Sequence, residues 1–285
     1  MIMHLIQRIP RFLLMLLCVL SLGGALPFTV RADTVLRLGG TGCGLGPMKL
    51  LALAFQKAHP DISLVVFPSL GSSGGISALF QGELDLALSA RALKKDEQGL
   101  GARAIAYART PFVFVANRRV GKRDLGTAEL ERIYNGTLQE WPDGSRIRLV
   151  LRPSGDADTQ LVKEISPAMA RAATFALTRP GMDLAITDQQ SADRVAHTPG
   201  ALGGITLAEL ETEQLSVHRF SYNGVAPTLR NLASGSYPLV KKLYLVTGSR
   251  SSRQAQQFAD FIFSEQGRGI LKTTGNLPLG PGRDR

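Results

Sequence analysis

The chain has 285 residues and a net charge of +10, and 44% of its residues are hydrophobic, which suits two small α/β lobes or one large domain. The basic residues are scattered in runs of no more than two, without interleaved aromatic side chains, so the charge does not predict nucleic-acid binding. The two cysteines and four histidines show no metal-ligand spacing, so we expect no metal site.

Residues 1–32 are predicted to be a cleavable signal peptide. Arg8 and Arg11 precede an apolar stretch, residues 12–26, that is short for a membrane span, and small residues surround a cleavage site after Ala32. A retained membrane anchor is the alternative. Cleavage would remove one of the two cysteines, so no intramolecular disulfide is predicted.

Predicted strands and helices alternate from residue 34 onward. Residues 34–38, 62–67 and 84–89 are strand-like, and glycine-rich loops at 40–46 and 69–75 follow the first two. Helical patterns lie between the strands, at 48–58 and 76–80. This order predicts a parallel sheet, whose ligands lie beyond the carboxyl ends of its strands, where both loops fall. The first loop lacks the glycine spacing of a dinucleotide site and the lysine of a P-loop, so no nucleotide cofactor is predicted.

The second loop, with sequence SLGSSGG, leads into a helix predicted to begin at Ile76. A helix N-terminus carries free N–H groups and a partial positive charge, so this loop, with the hydroxyls of Ser72 and Ser73, predicts a site for a small anion. The alternative is a surface turn whose serines merely cap the helix.

A second region begins at the apolar strand 110–117, which is expected to cross from one lobe to the other. Strand 243–247 is expected to pair beside residues 112–116 and to return the chain to the first lobe. The remaining predicted elements are helices at 127–136, from 160, at 191–196 and at 252–263, and strands at 147–152 and from 203.

Two arginines are candidates for binding an anion. Arg152 ends a predicted strand and Arg91 follows another, and the guanidinium fork matches two oxygens of a tetrahedral anion. A surface arginine at a strand end is the alternative for each.

Cys43 and Lys49 give a weaker alternative, a thiolate enzyme, which requires a lowered thiol pKa. No catalytic-triad pattern occurs in the sequence, and we therefore predict a protein that is not an enzyme.

Several motifs occur in an order typical of one family. They are GSSGG at 71–75, DLALS at 85–89, IYNG at 133–136 with Trp141, RPSGDADT at 152–159 and PGALG at 199–203. With them the chain resembles the periplasmic phosphate-binding proteins of ABC importers, over most of its length after residue 32. The resemblance implies a two-lobe α/β fold of the type 2 periplasmic binding proteins, with a hinge and an interlobe cleft. It places residues 33–112 and 238–285 in lobe 1 and residues 113–237 in lobe 2.

The resemblance also implies a set of ligand-binding residues. They are Gly44 and Leu45 through their amides, Ser72 and Arg152 through their side chains, the residue at Ala90 or Arg91, and the loop before Thr159. Ser73, Asp156 and Thr159 itself complete the set of candidates. The chain departs from the family at Ala90, where an acid usually accepts a phosphate proton, and at Asp156 and Asp158, where the family has Gly-Ser-Gly-Thr. One acid could accept a proton from the ligand, whereas two would repel an ionised anion unless they point outward.

The resemblance implies a non-enzymatic, monomeric protein of the periplasm that delivers phosphate or a related oxyanion to an inner-membrane ABC permease. The alternative is a regulatory or interaction protein that keeps the fold and has lost tight anion binding, which the altered 156–159 loop favours. A measured anion affinity distinguishes the two.

Overall fold

A computed structural model of the chain describes residues 34–249 and 251–280. The predicted signal peptide, residues 1–32, lies outside the described residues. Among the described residues, no helix combines the length and the apolar character needed to cross a membrane.

A mixed β-sheet with helices on its faces organises the chain. Its strands are β1 (Thr34–Gly40), β2 (Ile62–Ser69), β3 (Leu86–Ser89), β4 (Arg103–Asn117), β6 (Arg148–Leu151), β7 (Asp183–Leu184), β8 (Ala201–Thr206), β9 (Val217–Arg219), β11 (Val240–Thr247) and β12 (Leu277–Pro278), while β5 (Asp124–Leu125) and β10 (Ser221–Tyr222) form a separate pair. The main path through the sheet is β2-β1-β3-β11-β4-β8-β6-β7.

The described residues also form a series of helices. They are α1 (Leu45–Ala58), α2 (Gly71–Phe80), α3 (Lys95–Gly99), α4 (Thr127–Tyr134), α5 (Ala157–Glu164), α6 (Pro167–Thr178), α7 (Asp188–His197), α8 (Leu207–Glu213), α9 (Leu229–Ala233), α10 (Arg253–Phe263) and α11 (Glu265–Thr273). A short 3-10 turn, Gly42–Gly44, connects β1 to α1.

The first part of the sheet confirms the predicted β-α-β-α-β order. Strand β1 runs parallel to both β2 and β3, as right-handed crossovers through α1 and α2 require. Helix α1 buries Met48, Leu51 and Phe55, which share one face at helical spacing. These side chains join a core that also includes Phe258 of α10, so the end of the chain packs on its beginning.

Strand β4 joins the two parts of the sheet. Its residues 103–111 pair with β11, and its residues 112–116 pair with β8. The prediction that 243–247 pairs beside 112–116 is therefore wrong: these residues pair with 103–108. Residues 112–117 of β4 instead pair with β8 and β9, and the Phe112 amide donates to the Leu239 carbonyl.

One large apolar core packs against each part of the sheet. The first contains Phe55 and Phe258, and the second contains Phe112, Phe114 and Trp141. Separate cores of this kind support a division into two lobes, for which the predicted boundaries stay a prediction.

Helix α2 begins at Gly71, five residues before the predicted start at Ile76. The glycine-rich segment is thus the first turn of the helix and packs directly on the end of β1. A Cβ atom at Gly75 would lie 2.5 Å from the Cα atom of Gly40, closer than packed atoms approach. Glycine at this position is therefore required for the helix to lie against the strand.

Candidate functional site

The predicted site residues gather where β1, β3 and β6 end. The amide of Thr41 donates to the Leu88 carbonyl, and the amide of Leu70 donates to the Gly40 carbonyl, each at 3.0 Å. These bonds bring the 3-10 turn and the start of α2 together, at the carboxyl edge where ligands of parallel sheets bind.

A cleft of about 280 Å³ contains four of the predicted ligand residues, namely Ser72, Ser73, Arg91 and Asp156. We call this space the outer cleft. Ser72 Oγ accepts a hydrogen bond from the Ala90 amide at 2.9 Å, and Ser73 Oγ accepts one from Arg91 Nη2 at 3.0 Å. Both hydroxyl hydrogens remain able to donate to a ligand, since each serine serves here as an acceptor.

Arg91 is held by an ion pair at the edge of the outer cleft. Its Nη1 and Nη2 atoms donate to the two carboxylate oxygens of Glu97 at 2.8 and 2.6 Å. This bidentate pairing lowers the pKa of the Glu97 carboxyl through its hydrogen bonds to Arg91. A ligand in the outer cleft would share Arg91 with Glu97.

The half-buried Asp156 connects the outer cleft to four buried charged residues, Arg152, Asp158, Asp188 and Lys241. We call these five residues the buried charge cluster. Arg152 is 6% exposed. Its Nη1 donates to the Ala185 carbonyl at 3.0 Å, and its Nη2 donates to Asp156 Oδ2 at 2.8 Å. Nε is buried without a hydrogen-bond partner among the described residues, 4.0 Å from Asp158 Oδ2.

Lys241 supplies the second cation of the cluster. It lies on β11 on the same face as buried Leu243 and Leu245, as the period of a strand dictates. Its Nζ atom contacts Asp158 Oδ1 and lies 3.6 Å from Asp188 Oδ1. Burial alone would lower the pKa of Lys241, but the charges of Asp158 and Asp188 raise it above its ordinary value, so the ammonium stays charged.

Asp188 points from α7 into the 3-10 turn. Its Oδ2 atom accepts the Gly42 amide at 2.8 Å and lies 3.9 Å from Arg152 Nη2. Burial would raise the pKa of Asp188, but Lys241, Arg152 and hydrogen bonds from the Gly42 and Cys43 amides lower it. We call the position formed by these two amides, Arg152 and Lys241 the carboxylate seat, which Asp188 occupies as an anion.

A side chain at position 42 would clash with both Gln189 Oε1 and Asp188. A Cβ atom at position 42 would be 2.7 Å from Asp188 Oδ2. Gln189 follows, and its Nε2 donates to the Gly42 carbonyl at 3.2 Å. The start of α7 therefore binds both the amide and the carbonyl of Gly42, although Asp188 and Gln189 lie 146 and 147 positions further along the sequence.

Three predicted ligand residues have other partners in this structure. The amides of Gly44 and Leu45 donate to the carbonyls of Thr41 and Gly42, and the Thr159 hydroxyl donates to the Arg152 carbonyl at 3.0 Å. These bonds shape the two loops that carry the site. Direct roles for Gly44, Leu45 and Thr159 as ligands stay predictions that require the bonds to open.

The cluster carries more negative than positive charge. Three carboxylates face two cations, and burial, with help from Asp156 and Asp188, raises the pKa of Asp158 to about 6 despite Lys241. Asp156 also caps α5 by accepting the Asp158 amide at 2.9 Å. Among residues 34–249 and 251–280, no group of acids, histidines and cysteines is placed to hold a metal ion.

Glu209 on α8 is a further buried acid near the cluster. It is 1% exposed, and neither carboxylate oxygen has a hydrogen-bond partner among the described residues. Burial raises its pKa well above the ordinary value, and the charge of Asp188 adds to this while Lys241 opposes it. Burial therefore favours the neutral carboxylic acid over the carboxylate at this position in the folded protein.

Replacing Glu209 by glutamine is expected to stabilise the protein increasingly as pH rises above the ordinary pKa of a glutamate. The unfolded chain ionises Glu209 above pH ~4.3, whereas the raised pKa lets the folded protein hold the proton to higher pH, so this group lowers wild-type stability by up to about 1.4 kcal/mol per pH unit over that interval. Denaturant unfolding at several pH values measures the difference. Glu211→Gln, on the exposed face of the same helix, is the control, and a difference that stays flat with pH contradicts the account.

Cys43 does not fit the thiolate-enzyme alternative. It is fully buried in the first core, and burial raises the pKa of its thiol to about 12 although Lys241 opposes the shift. At neutral pH the thiol is protonated and out of reach of a substrate, and a nucleophilic cysteine needs the opposite on both counts.

The Cys43 thiol is expected not to react with an aromatic disulfide reagent at pH 8 in the native protein. In guanidinium chloride it should react within minutes, because unfolding both exposes the thiol and returns its pKa toward ~8.5. Absorbance of the released thiolate follows the reaction, and Cys43→Ser reports labelling at Cys18. Fast labelling of Cys43 in the native state would restore the enzyme alternative.

Sequence reasoning missed Asp188 and Lys241. Lys241 had a recognisable signal, since it occupies the inward position of a strand whose next inward residues are Leu243 and Leu245. Asp188 follows the helix cap Thr187 and reads as an ordinary first-turn acid. Only the fold reveals that it reaches Gly42.

Comparisons with known proteins identify the family of this chain. A family model described as the PBP superfamily domain matches residues 29–266. The phosphate-binding protein PstS of Borreliella burgdorferi is 23% identical over 255 residues, covering 87% of this chain and 91% of that protein. PstS of Bacillus subtilis is 26% identical over 251 residues, covering 83% and 79%. A solved structure from Clostridium perfringens, described as a phosphate ABC transporter substrate-binding protein with bound phosphate, has a TM-score of 0.76 at 22% identity and covers 86% of this chain and 100% of that chain, which confirms the predicted fold class.

Proposed function

This chain belongs to the PBP superfamily, and we propose that it is a solute-binding protein that captures phosphate or a related oxyanion for an ABC importer. The observation that carries the proposal is the carboxylate seat, where the Gly42 and Cys43 amides and the Arg152 guanidinium converge on an anion. Amides beside a buried arginine are donors that suit the oxygens of phosphate. The relatedness to PstS proteins supports phosphate as the solute.

The outer cleft supports a path to this position. Ser72 and Ser73 offer hydroxyl donors, Arg91 offers a second guanidinium, and Asp156 links the outer cleft to Arg152. A solute that enters the outer cleft would replace its hydrogen bonds to water with hydrogen bonds to these donors. Closure of the two proposed lobes, 33–112 with 238–285 and 113–237, would strengthen the bonds by excluding water.

The proposal places the protein in the periplasm as a monomer after removal of residues 1–32, with an inner-membrane ABC permease as its partner. It assigns no enzymatic activity. The family is one of solute-binding proteins, and the protonated, buried thiol of Cys43 is consistent with that assignment.

Isothermal titration of the purified protein with phosphate, and then with sulfate, tests the proposal. We expect saturable binding of one phosphate per chain, at lower concentration than sulfate. Acetate at matched ionic strength controls for a general salt effect. Absence of saturable heat and of thermal stabilisation with both anions would overturn the oxyanion assignment.

One observation favours a second function, a regulatory or interaction protein on the same fold. The buried charge cluster already contains three carboxylates and two cations, so an added anion meets net negative charge. Unmeasurable phosphate affinity in a protein that unfolds cooperatively would favour this function over solute capture.

A further inference from the structure

We propose that Asp188 is an internal competitor for the oxyanion position, so that a solute binds in the carboxylate seat only after displacing the Asp188 side chain. Asp188 thereby sets the affinity of the site. The inference rests on the proposed function for the identity of the displacing ligand, and on the geometry of Asp188 for everything else.

The hydrogen-bond donors of the carboxylate seat already have an anionic partner without a solute. Asp188 is 4% exposed and uses the donors that an oxyanion would need: the Gly42 amide at 2.8 Å, the Cys43 amide, and the nearby cations Arg152 and Lys241. An ionised carboxylate presents two acceptor oxygens and a negative charge to these donors, as an oxyanion would. The side chain therefore stands where such an anion fits.

A solute and the Asp188 carboxylate cannot occupy the carboxylate seat together. The space beside Gly42 is filled by two side chains, since a Cβ atom there would clash with Gln189 Oε1 and would lie 2.7 Å from Asp188 Oδ2. A second anion would also be placed against a carboxylate in a buried environment, where like charges repel strongly. Binding of a solute thus requires Asp188 to leave.

Asp188 also contributes to a contact between distant segments of the chain. Asp188 and Gln189 join α7 to the turn after β1 through the amide and the carbonyl of Gly42. These contacts link the two proposed lobes across the chain. Asp188 therefore also stabilises the contact between α7 and the turn after β1 in the absence of a solute.

The size of the effect follows from occupancy. If Asp188 fills the seat in nine molecules of ten, the apparent affinity for an external anion falls about ten-fold. Removing the carboxylate should therefore tighten phosphate binding by about ten-fold or more. It should also open the seat to small carboxylates that the wild type excludes.

The test compares wild type, Asp188→Ala, Asp188→Asn and Asp193→Ala. Asp193 lies on the same helix, and its side chain is 72% exposed, so it controls for the loss of a helix carboxylate. Thermal unfolding with and without formate, and calorimetric titration with phosphate, are the two readouts. Formate matches the carboxylate that Asp188→Ala removes.

We expect formate to raise the melting temperature of Asp188→Ala and to leave wild type and Asp193→Ala unchanged. Phosphate should bind Asp188→Ala and Asp188→Asn at least ten-fold more tightly than wild type. If Asp188→Ala does not fold, Asp188→Asn keeps the side-chain volume, and its phosphate affinity alone decides.

The failures of the two proposals are distinguishable. Equal phosphate affinity in wild type and in the Asp188 variants would overturn the competitor role and leave the proposed function intact. Formate rescue of Asp188→Ala without phosphate binding to any variant would support the competitor role and overturn phosphate as the solute. A folded Asp188→Ala that responds to neither anion would overturn the competitor role.

Discussion

Replacing Lys241 by alanine is expected to destabilise the protein by about 3–5 kcal/mol, the cost of leaving a buried charge without its partner. Lys241 is 3% exposed and contacts Asp158 while lying near Asp188. Without it, Arg152 alone faces the carboxylates of the buried charge cluster. Denaturant unfolding at pH 7 measures the loss.

Two further variants make this prediction specific. Lys57→Ala removes an exposed lysine of α1 and should change stability by no more than about 0.5 kcal/mol. Combining Lys241→Met with Asp158→Asn removes both charges of the pair and should recover a large part of the loss. A similar small effect from Lys241→Ala and Lys57→Ala would contradict the description of the buried charge cluster.

Replacing Arg152 by alanine is expected to weaken phosphate binding about 30-fold or more. Truncating one partner of a buried, hydrogen-bonded charge pair typically costs ~2–5 kcal/mol, and each 1.4 kcal/mol is a factor of ten in affinity. Arg152 is the arginine of the carboxylate seat, and its Nε has no hydrogen-bond partner among the described residues. Calorimetric titration with phosphate gives the affinity.

Arg152→Lys separates the role of the guanidinium fork from that of the charge. It keeps one positive charge in the buried cluster, so it should fold better than Arg152→Ala, yet it cannot bind two oxygens side by side. Arg171→Ala, on an exposed position of α6, should bind phosphate like the wild type. Unchanged affinity in Arg152→Ala would move the anion site to the outer cleft, around Arg91.

The regular elements of the chain followed from the sequence because local patterns determine them. The spacing of Met48, Leu51 and Phe55 predicted α1, and the apolar runs predicted β1, β2 and β3 in the parallel order that the structure has. Strand pairing was harder. The partner of residues 243–247 depends on which edge of β4 the other strands occupy, and no local pattern contains that information.

The last helix shows a related difficulty. Residues 265–273 form α11 although Gly267 and Gly269 lie within it, and two glycines argue against a helix on propensity alone. A Cβ atom at Gly267 would come within 2.7 Å of the Ile262 carbonyl oxygen. Close packing against the end of α10 therefore required a glycine that local reasoning interprets as a helix breaker.

The candidate site was predictable where it lies next to strand ends. Ser72, Ser73, Arg91 and Asp156 were predicted and line the outer cleft together, because loops at the carboxyl edge of a parallel sheet converge. Asp188 could not be placed in this way, since it meets Gly42 only through the folding of distant segments. An acid in a first helical turn normally needs no partner beyond its own helix.

A crystal structure of Asp188→Ala grown with phosphate tests the central claim, an oxyanion position that the protein fills with its own carboxylate. The account predicts phosphate in the carboxylate seat, with its oxygens accepting the Gly42 and Cys43 amides and one oxygen facing Arg152. Phosphate bound in the outer cleft against Ser73 and Arg91, with the carboxylate seat empty, would contradict it.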